Sequence, residues 1–519
     1  MFTRMMAAAL VLWTAHTAAI GATWGTPGVI ESDTAGAVSF PTIAVDATGS
    51  AVAVWTEMDL ESGAQRFNLW ANRFTVGQGW GTAEKIENQN GDAVNFTLAV
   101  DAHGNAAVGW TQNDSTGTYK DAWVRNYIVG TGWGAVTKLL NVNTDGDAQS
   151  MHVVFDAAGN ALIAWTQASL PFGSQGYTQD ILTSRYVPNV GWSAAQKING
   201  TRSPSSDPNV GMDASGNATV VWKAEKPGTA GAIWTNRFTP TTGTGTGTWG
   251  NAQALSTGID GQLPTIAVNA TGNAVVAWYA TTAFSVLAAH YTPGQGWSNE
   301  ETVYHAAQGV FEIPAFPQVV IDASGSAIAV WQNFANSRID IRASRYAPGQ
   351  GWSSSPILDS NSFDAVYPHI AMDSNGNAVA VWYQIGVASG VSKIWSNHYL
   401  VGTGWLGAEP IETGLNEAAF NPLVSANPNG TVLAVWAQGP SIIRNDVWSA
   451  SSLTTTANSG GTSNPGGSTG GGGNTGSGSV PAASGGGGGT LDTLALIAIL
   501  LAALSRSTDS ARTHNRKFG

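Results

Sequence analysis

The chain contains no cysteine, so disulfides, thiolate metal ligands and thiol nucleophiles are all excluded. Charge is scarce too, at 11% of residues, and it leans acidic: 34 Asp and Glu against 22 Lys and Arg, a formal net charge of −12. That balance disfavours nucleic-acid or anionic-membrane binding by the globular part. No apolar run reaches the ~20 residues that a plain transmembrane helix needs. The eight histidines are scattered, with no H-E-x-x-H pair, and there is no Gly-x-Ser-x-Gly elbow and no phosphate loop. What the chain does have is tryptophan, 22 in all, and one stretch that it repeats.

The cleanest copy of that stretch is Pro368–Gln384, PHIAMDSNGNAVAVWYQ; seven others begin at Pro41, Phe96, Met151, Pro208, Pro264, Pro317 and Pro422. Each reads as strand, tight turn, strand. In the first arm Ile266 and Val268 face one way and Thr265 and Ala267 the other, the period of two that marks a strand. The turn is Asx-x-x-Gly followed by a small polar residue. An Asx side chain bonds backbone N–H groups further along, and glycine takes positive φ without a Cβ clash. In the second arm Ala378, Ala380 and Trp382 share a face, with Val379 and Val381 on the other. Small residues beside the indole leave it room to lie over a neighbouring sheet. The equivalent core tryptophans are Trp55, Trp110, Trp165, Trp222, Trp278, Trp331, Trp382 and Trp436.

The turn residue falls at Asp46, Asp101, Asp156, Asp213, Asn269, Asp322, Asp373 and Asn427, at spacings of 55, 55, 57, 56, 53, 51 and 54. A period of this length calls for a repeat architecture. A third strand follows each hairpin, such as Leu69–Phe74. A Gly-rich turn then leads to a fourth strand opening on Trp, as in Trp80 to Ile86. Four strands per repeat make a propeller blade. The eighth copy stops after its third strand, and the segment Trp24–Glu31 matches Trp80–Glu87. The expected fold is therefore all-β: an eight-bladed β-propeller of four-stranded antiparallel blades, closed by an N-terminal strand that leaves no open edge.

Around this body, residues 1–22 read as a signal peptide, with Arg4, the apolar run Ala7–Trp13 and small residues up to Ala22. The propeller occupies 23–453, a Gly/Ser-rich linker 454–490, and an apolar segment with a basic tail 491–519. Ser484-Gly-Gly-Gly-Gly-Gly489-Thr-Leu, the segment LDTLALIAILLAAL and the following arginines resemble the GlyGly-CTERM sorting signal of Gram-negative bacteria. The resemblance covers only the end of the chain. It implies cutting by a rhomboid-type protease, partnership with export and sorting machinery, and delivery to the cell surface or medium after a transient inner-membrane anchorage. Membrane contact is expected through this segment alone.

Every mature tryptophan is a repeat position, so packing accounts for them better than sugar stacking does. The turn aspartates Asp46, Asp101, Asp156, Asp213, Asp322 and Asp373 are read as structural. Each turn has one carboxylate with none two residues on, so a loop-bound calcium is conceivable but unsupported, and no other metal or cofactor is implied. The turn resembles the Asp-box of sialidase-type propellers but lacks its serine and its Gly-x-x-Trp spacing. NHL-type blades share the turn but lack the Trp, and Trp-docking quinoprotein repeats space Gly and Trp differently. Third strands carry Arg73, Arg185, Arg237 and Arg345, spread round the ring and therefore read as cross-blade ties.

Variation is concentrated on the face opposite the turns. Its loops open with Glu57, Gln112, Gln167, Asn333, Gln384 and Gln438, and its blade-to-blade loops carry Asp92, Asp145, Asp147, Asp207, Asp260, Glu312, Asp364 and Glu417. From these, Glu57, Gln112, Gln167, Gln384, Gln438, Asp145 and Asp364 are the candidate ligand-binding residues, since amides and carboxylates around a depression suit sugar hydroxyls. The expected function is an exported module binding a glycan or another extracellular macromolecule. A polysaccharide hydrolase or lyase and a structural surface protein are the alternatives, because fold alone does not choose. If the tail is a sorting signal, mass spectrometry of released protein should find no species extending beyond Leu504.

Overall fold

The structure is a computed structural model. It describes residues 24–453 apart from loop stretches at 32–35, 60–65, 114–118, 140–145, 171–175, 203, 226–230, 242–245, 257–259, 308–310, 360–362, 386–390, 412–416 and 442–443. The signal, linker and tail readings lie outside the described residues.

Eight antiparallel blades follow one another around a ring. Their first strands are Ala37–Val45, Ala93–Val100, Ala148–Phe155, Ser205–Met212, Gly261–Val268, Glu312–Ile321, Ala365–Met372 and Ala418–Ala426. Each packs against the first strand of the next blade, so these eight line a central channel. Closure is by the N-terminal strand. Gly28 pairs with Ser449 and Val29 with Trp448 on the third strand of blade eight. The Gly25 N–H donates to the Ser451 carbonyl at 2.8 Å, and the Ile30 N–H to that of Val447 at 2.9 Å. The Trp24 indole donates to Ser396 Oγ of blade seven at 2.8 Å.

The fourth strand departs from expectation. It is not continuous in most blades but broken, as Gly79–Trp80 and Glu84–Lys85 in blade one; only in blade seven does it run unbroken from Gly404 to Pro410. The residues between leave the ladder, though the Gly81 N–H still reaches the Arg73 carbonyl at 2.9 Å.

The eight repeat tryptophans are all fully buried. Ala378, Ala380 and Trp382 pack on Ile328 and Val330 of the preceding blade, while Val379 and Val381 pack around Trp436 of the next. The alternation of the second arm thus divides each blade between its two neighbours. Burying a side chain of this size contributes up to about 3 kcal/mol.

The turns form as the Asx chemistry requires. Asp373 Oδ1 accepts the N–H groups of Asn375 and Asn377, both at 2.9 Å, and Asn427 Oδ1 accepts those of Asn429 and Thr431 at 3.0 and 2.8 Å. The turns also brace one another: the carboxylates of Asp46, Asp101, Asp156, Asp213 and Asp322 each lie against the turn glycine of the following blade. The third-strand arginines tie blades by stacking more than by hydrogen bonds. Arg73 lies over Tyr127 at 4.8 Å, Arg185 over Phe238 at 5.0 Å and Arg237 over Tyr291 at 3.7 Å. Arg73 also donates to the Gly104 carbonyl at 2.8 Å.

Gly376 sits at φ 85°, and a Cβ there would lie 2.8 Å from Asp322 Oδ2. Gly376→Val should therefore cost about 1 kcal/mol or more in chemical denaturation. An unchanged midpoint would refute this account of the turn.

Candidate functional site

The amides expected to face a ligand are interior. Gln112, Gln167, Gln384, Gln438 and Glu57 are all buried. Three of them serve the core indoles. The Nε1–H of Trp110 donates to Gln112 Oε1 at 2.9 Å, Trp165 to Gln167 at 3.2 Å and Trp436 to Gln438 at 2.7 Å. The Gln112 amide nitrogen donates in turn to the Gly91 carbonyl at 2.8 Å, and that of Gln167 to Gly146 at 2.6 Å; Gln384 reaches the Phe363 carbonyl at 3.1 Å. Glu57 is buried beside Gly36. These residues lie two positions after the tryptophan, on the same face of the strand, and so follow it inward. Their assignment as ligand contacts is corrected to core support.

The loop carboxylates also have structural work. Asp364 Oδ1 accepts the Ile339 N–H at 2.8 Å, as Asp92 accepts that of Phe67 at 2.9 Å and Asp147 that of Lys120 at 2.8 Å. Each clips the third strand of the preceding blade. Asp145 lies outside the described residues. Glu31 on the closing strand belongs to a second clasp. Glu31, Asn199, Ser256 and Asp359 occupy one repeat position and accept the N–H groups of Val447, Ile181, Ile233 and Ile341. Burial, and then the neighbouring Asp446 and Glu57, push the Glu31 carboxyl up to about 10. Glu31 and Asp446 thus share a side-chain hydrogen bond at the joint that closes blade eight.

A different ring emerges where the first strands approach the loop face. Each of the eight carries a β-bulge there, as between Ser39 and Thr42 or between Val366 and His369. At each bulge one non-glycine residue has positive φ: Phe40, Asn95, Ser150, Asp207, Leu263, Phe316, Tyr367 and Asn421, all between 49° and 54°. The bulge imposes this backbone, and left-handed geometry costs a residue with a Cβ about 1 kcal/mol. Glycine would escape that cost, yet no copy uses it.

The chemistry around this mouth is sorted by blade. Blades six and seven are aromatic. Phe316 and Tyr367 meet across the blade boundary at 5.7 Å, and Tyr367 stacks on Tyr383 at 5.8 Å with rings 15° apart. Gln332 Oε1 accepts the Tyr367 N–H at 3.1 Å and fixes its place. Burial raises both phenols, so they stay protonated hydroxyl donors at ordinary pH. Blade four is ionic. Asp207 accepts from Ser206 Oγ at 3.0 Å, and Lys223, opposite Ser206 in register, pairs with Glu225 at 2.8 Å. Burial raises the Asp207 carboxyl, against the opposing pull of Ser206 and Lys223. Below the mouth, burial pushes His152 and His369 down to about 4, so both are neutral. His369 Nδ1 accepts the Val424 N–H of the next blade at 3.4 Å.

Sequence reasoning singled out only Asp207 of this ring. The neighbours of the bulge residue vary as it does, over Ser, Val, Gln, Ala and Phe just before it and Thr, His, Asn, Gln and Leu two after, so no sequence signal marks the position.

At the opposite end a recess is lined by Val45, Asp46, Asp101, Asp156, Met372 and Asp373, among others. Its aspartates repeat one chemistry, and their Oδ1 atoms are engaged in their own turns. Among the described residues no group of three or more His, Asp or Glu side chains is placed to hold a metal ion.

No family model and no curated protein matches the chain. Among solved structures it resembles polysaccharide lyase Uly1, at 11% identity and a TM-score of 0.45 over 83% of this chain and 99% of that one. It also resembles the β-propeller domain of the Trilobed protease from Pyrococcus furiosus, at 8% identity and a TM-score of 0.42 over 73% of this chain and 96% of that one. A third is the Hadza microbial sialidase Hz136, at 13% identity and a TM-score of 0.38 over 67% and 63%. Likenesses at this level carry no argument about activity.

The corrected role of the amides is testable. Gln112→Ala strands the indole N–H of Trp110 and should cost about 1–3 kcal/mol of stability. Ligand affinity of the folded fraction should not change; lost affinity with an intact melt would restore the surface assignment.

Proposed function

We propose that this is an exported propeller that binds a glycan at the loop-face mouth of its channel, on the arc from blade four to blade seven. The observation that carries the reading is the bulge ring. One repeat position, costly in backbone energy, holds unlike residues, and these segregate into an aromatic wall and an ionic one. Strain kept at a site where glycine would relieve it is a mark of function. Sugars offer what the two walls complement: apolar C–H faces for the rings of Phe316, Tyr367 and Tyr383, and hydroxyls for Asp207 and Lys223. Export with removal of the C-terminal tail would present this face to extracellular polysaccharide.

The test is a binding screen of the full chain against pectin, xylan, mannan and cellulose fragments, followed by Phe316→Gly and Tyr367→Gly. In these variants relief of left-handed strain and the added chain entropy of glycine roughly offset each other. The melting temperature should hold while affinity falls about tenfold, the equivalent of about 1.4 kcal/mol. Undiminished affinity in both variants would reject the site. Release of reducing ends or of unsaturated uronates by the unaltered chain would make the face catalytic instead.

A further inference from the structure

Beyond the channel mouth the same sector of the loop face carries a second group of aromatic rings. Phe284, in the turn before the third strand of blade five, is 37% exposed and has φ 45°. Phe311, on the approach to blade six, is 41% exposed. Their centroids are 6.4 Å apart, and Phe311 lies 6.1 Å from the half-buried Phe334 at an angle of 79°. Each edge-on contact sets the edge of one ring against the face of another, and Phe284 and Phe311 still keep more than a third of their surface in solvent. A phenylalanine that is both exposed and left-handed gains little from folding and is held against a steric cost.

The placement of this platform gives it a meaning. Phe311 immediately precedes the strand Glu312–Ile321, and Phe316 of the mouth stands five residues further along it. At ~3.3 Å per residue the two are about 16 Å apart at most, a length that a short oligosaccharide spans. The aromatic wall of blades six and seven and the platform of blades five and six thus lie on one path running outward from the channel.

Resting on the glycan reading above, we propose that Phe284 and Phe311 form a second sugar-stacking subsite, so that the ligand is a polysaccharide chain engaged along its length rather than a terminal sugar. Two linked subsites raise affinity through effective concentration once the chain is long enough to reach both, and not before.

The experiment measures affinity of the full chain for cello-, xylo- and galacturono-oligosaccharides from disaccharide to octasaccharide. Affinity for the bound series should rise at least tenfold between the shortest and longest members. Phe284→Ala combined with Phe311→Ala should abolish that rise and leave disaccharide affinity as it was, whereas Tyr367→Gly should weaken every length. Phe311→Trp, which keeps a ring at the position, should retain the rise. Length-independent binding by the unaltered chain, or a rise that survives in the double alanine variant, overturns the second subsite while leaving the mouth site standing. Failure of the unaltered chain to bind any oligomer overturns both.

Discussion

An indole can be buried between two sheets only if its surroundings make room for it, and this propeller meets that condition eight times over. An alanine two or four positions before each tryptophan clears space for it, and the preceding blade supplies the valine and isoleucine face that closes over Trp382 and Trp436. In blades two, three and eight an amide two positions after the tryptophan takes the N–H. Because alternate residues of the second strand address opposite neighbours, no blade has a core of its own. Each is half of two interfaces, and stability is a property of the ring.

That arrangement separates the constant from the variable. Tryptophans, turns and clasps cannot drift without opening an interface. The bulge residues carry no such duty, since their backbone is dictated by the strand around them and their side chains stand at its open end. Phe, Asn, Ser, Asp, Leu and Tyr all occupy this single position. A rigid frame with one free position per blade places unlike groups in fixed relation around a common axis. That is the preorganisation a binding surface needs, since little further entropy is lost when a ligand arrives.

The fold was legible because it is written eight times. The spacing of the turn residues, the alternation of Ala378, Ala380 and Trp382, and the match of Trp24–Glu31 to Trp80–Glu87 each correspond to something observed. The fourth strand is shorter than the sequence suggests, because continuity of sequence conceals a break in hydrogen bonding. The site was less legible, and the error has a plain cause. By polarity alone, Gln112 and Gln384 open a loop at the end of the repeat. The period of two places them on the face of Trp110 and Trp382, where Gln112 accepts the Trp110 N–H and Gln384 donates to the Phe363 carbonyl. The bulges left no trace in composition. Left-handed φ is announced in a sequence by glycine or asparagine, and here Phe316, Tyr367 and Leu263 adopt it.

The closing strand imposes an order of events on the chain. Each blade can assemble from neighbours in sequence, but the hydrogen bond between Glu31 and Val447 joins residues 416 apart. Contacts of that separation are the last to repay the entropy of bringing their ends together. Until the final third strand exists, residues 24–31 have nothing to pair with. A chain cut short anywhere before it would carry an unpaired strand at one end and a bare blade edge at the other. Ring closure thus reports that all eight blades are present, a built-in check that a row of independently folded repeats does not possess.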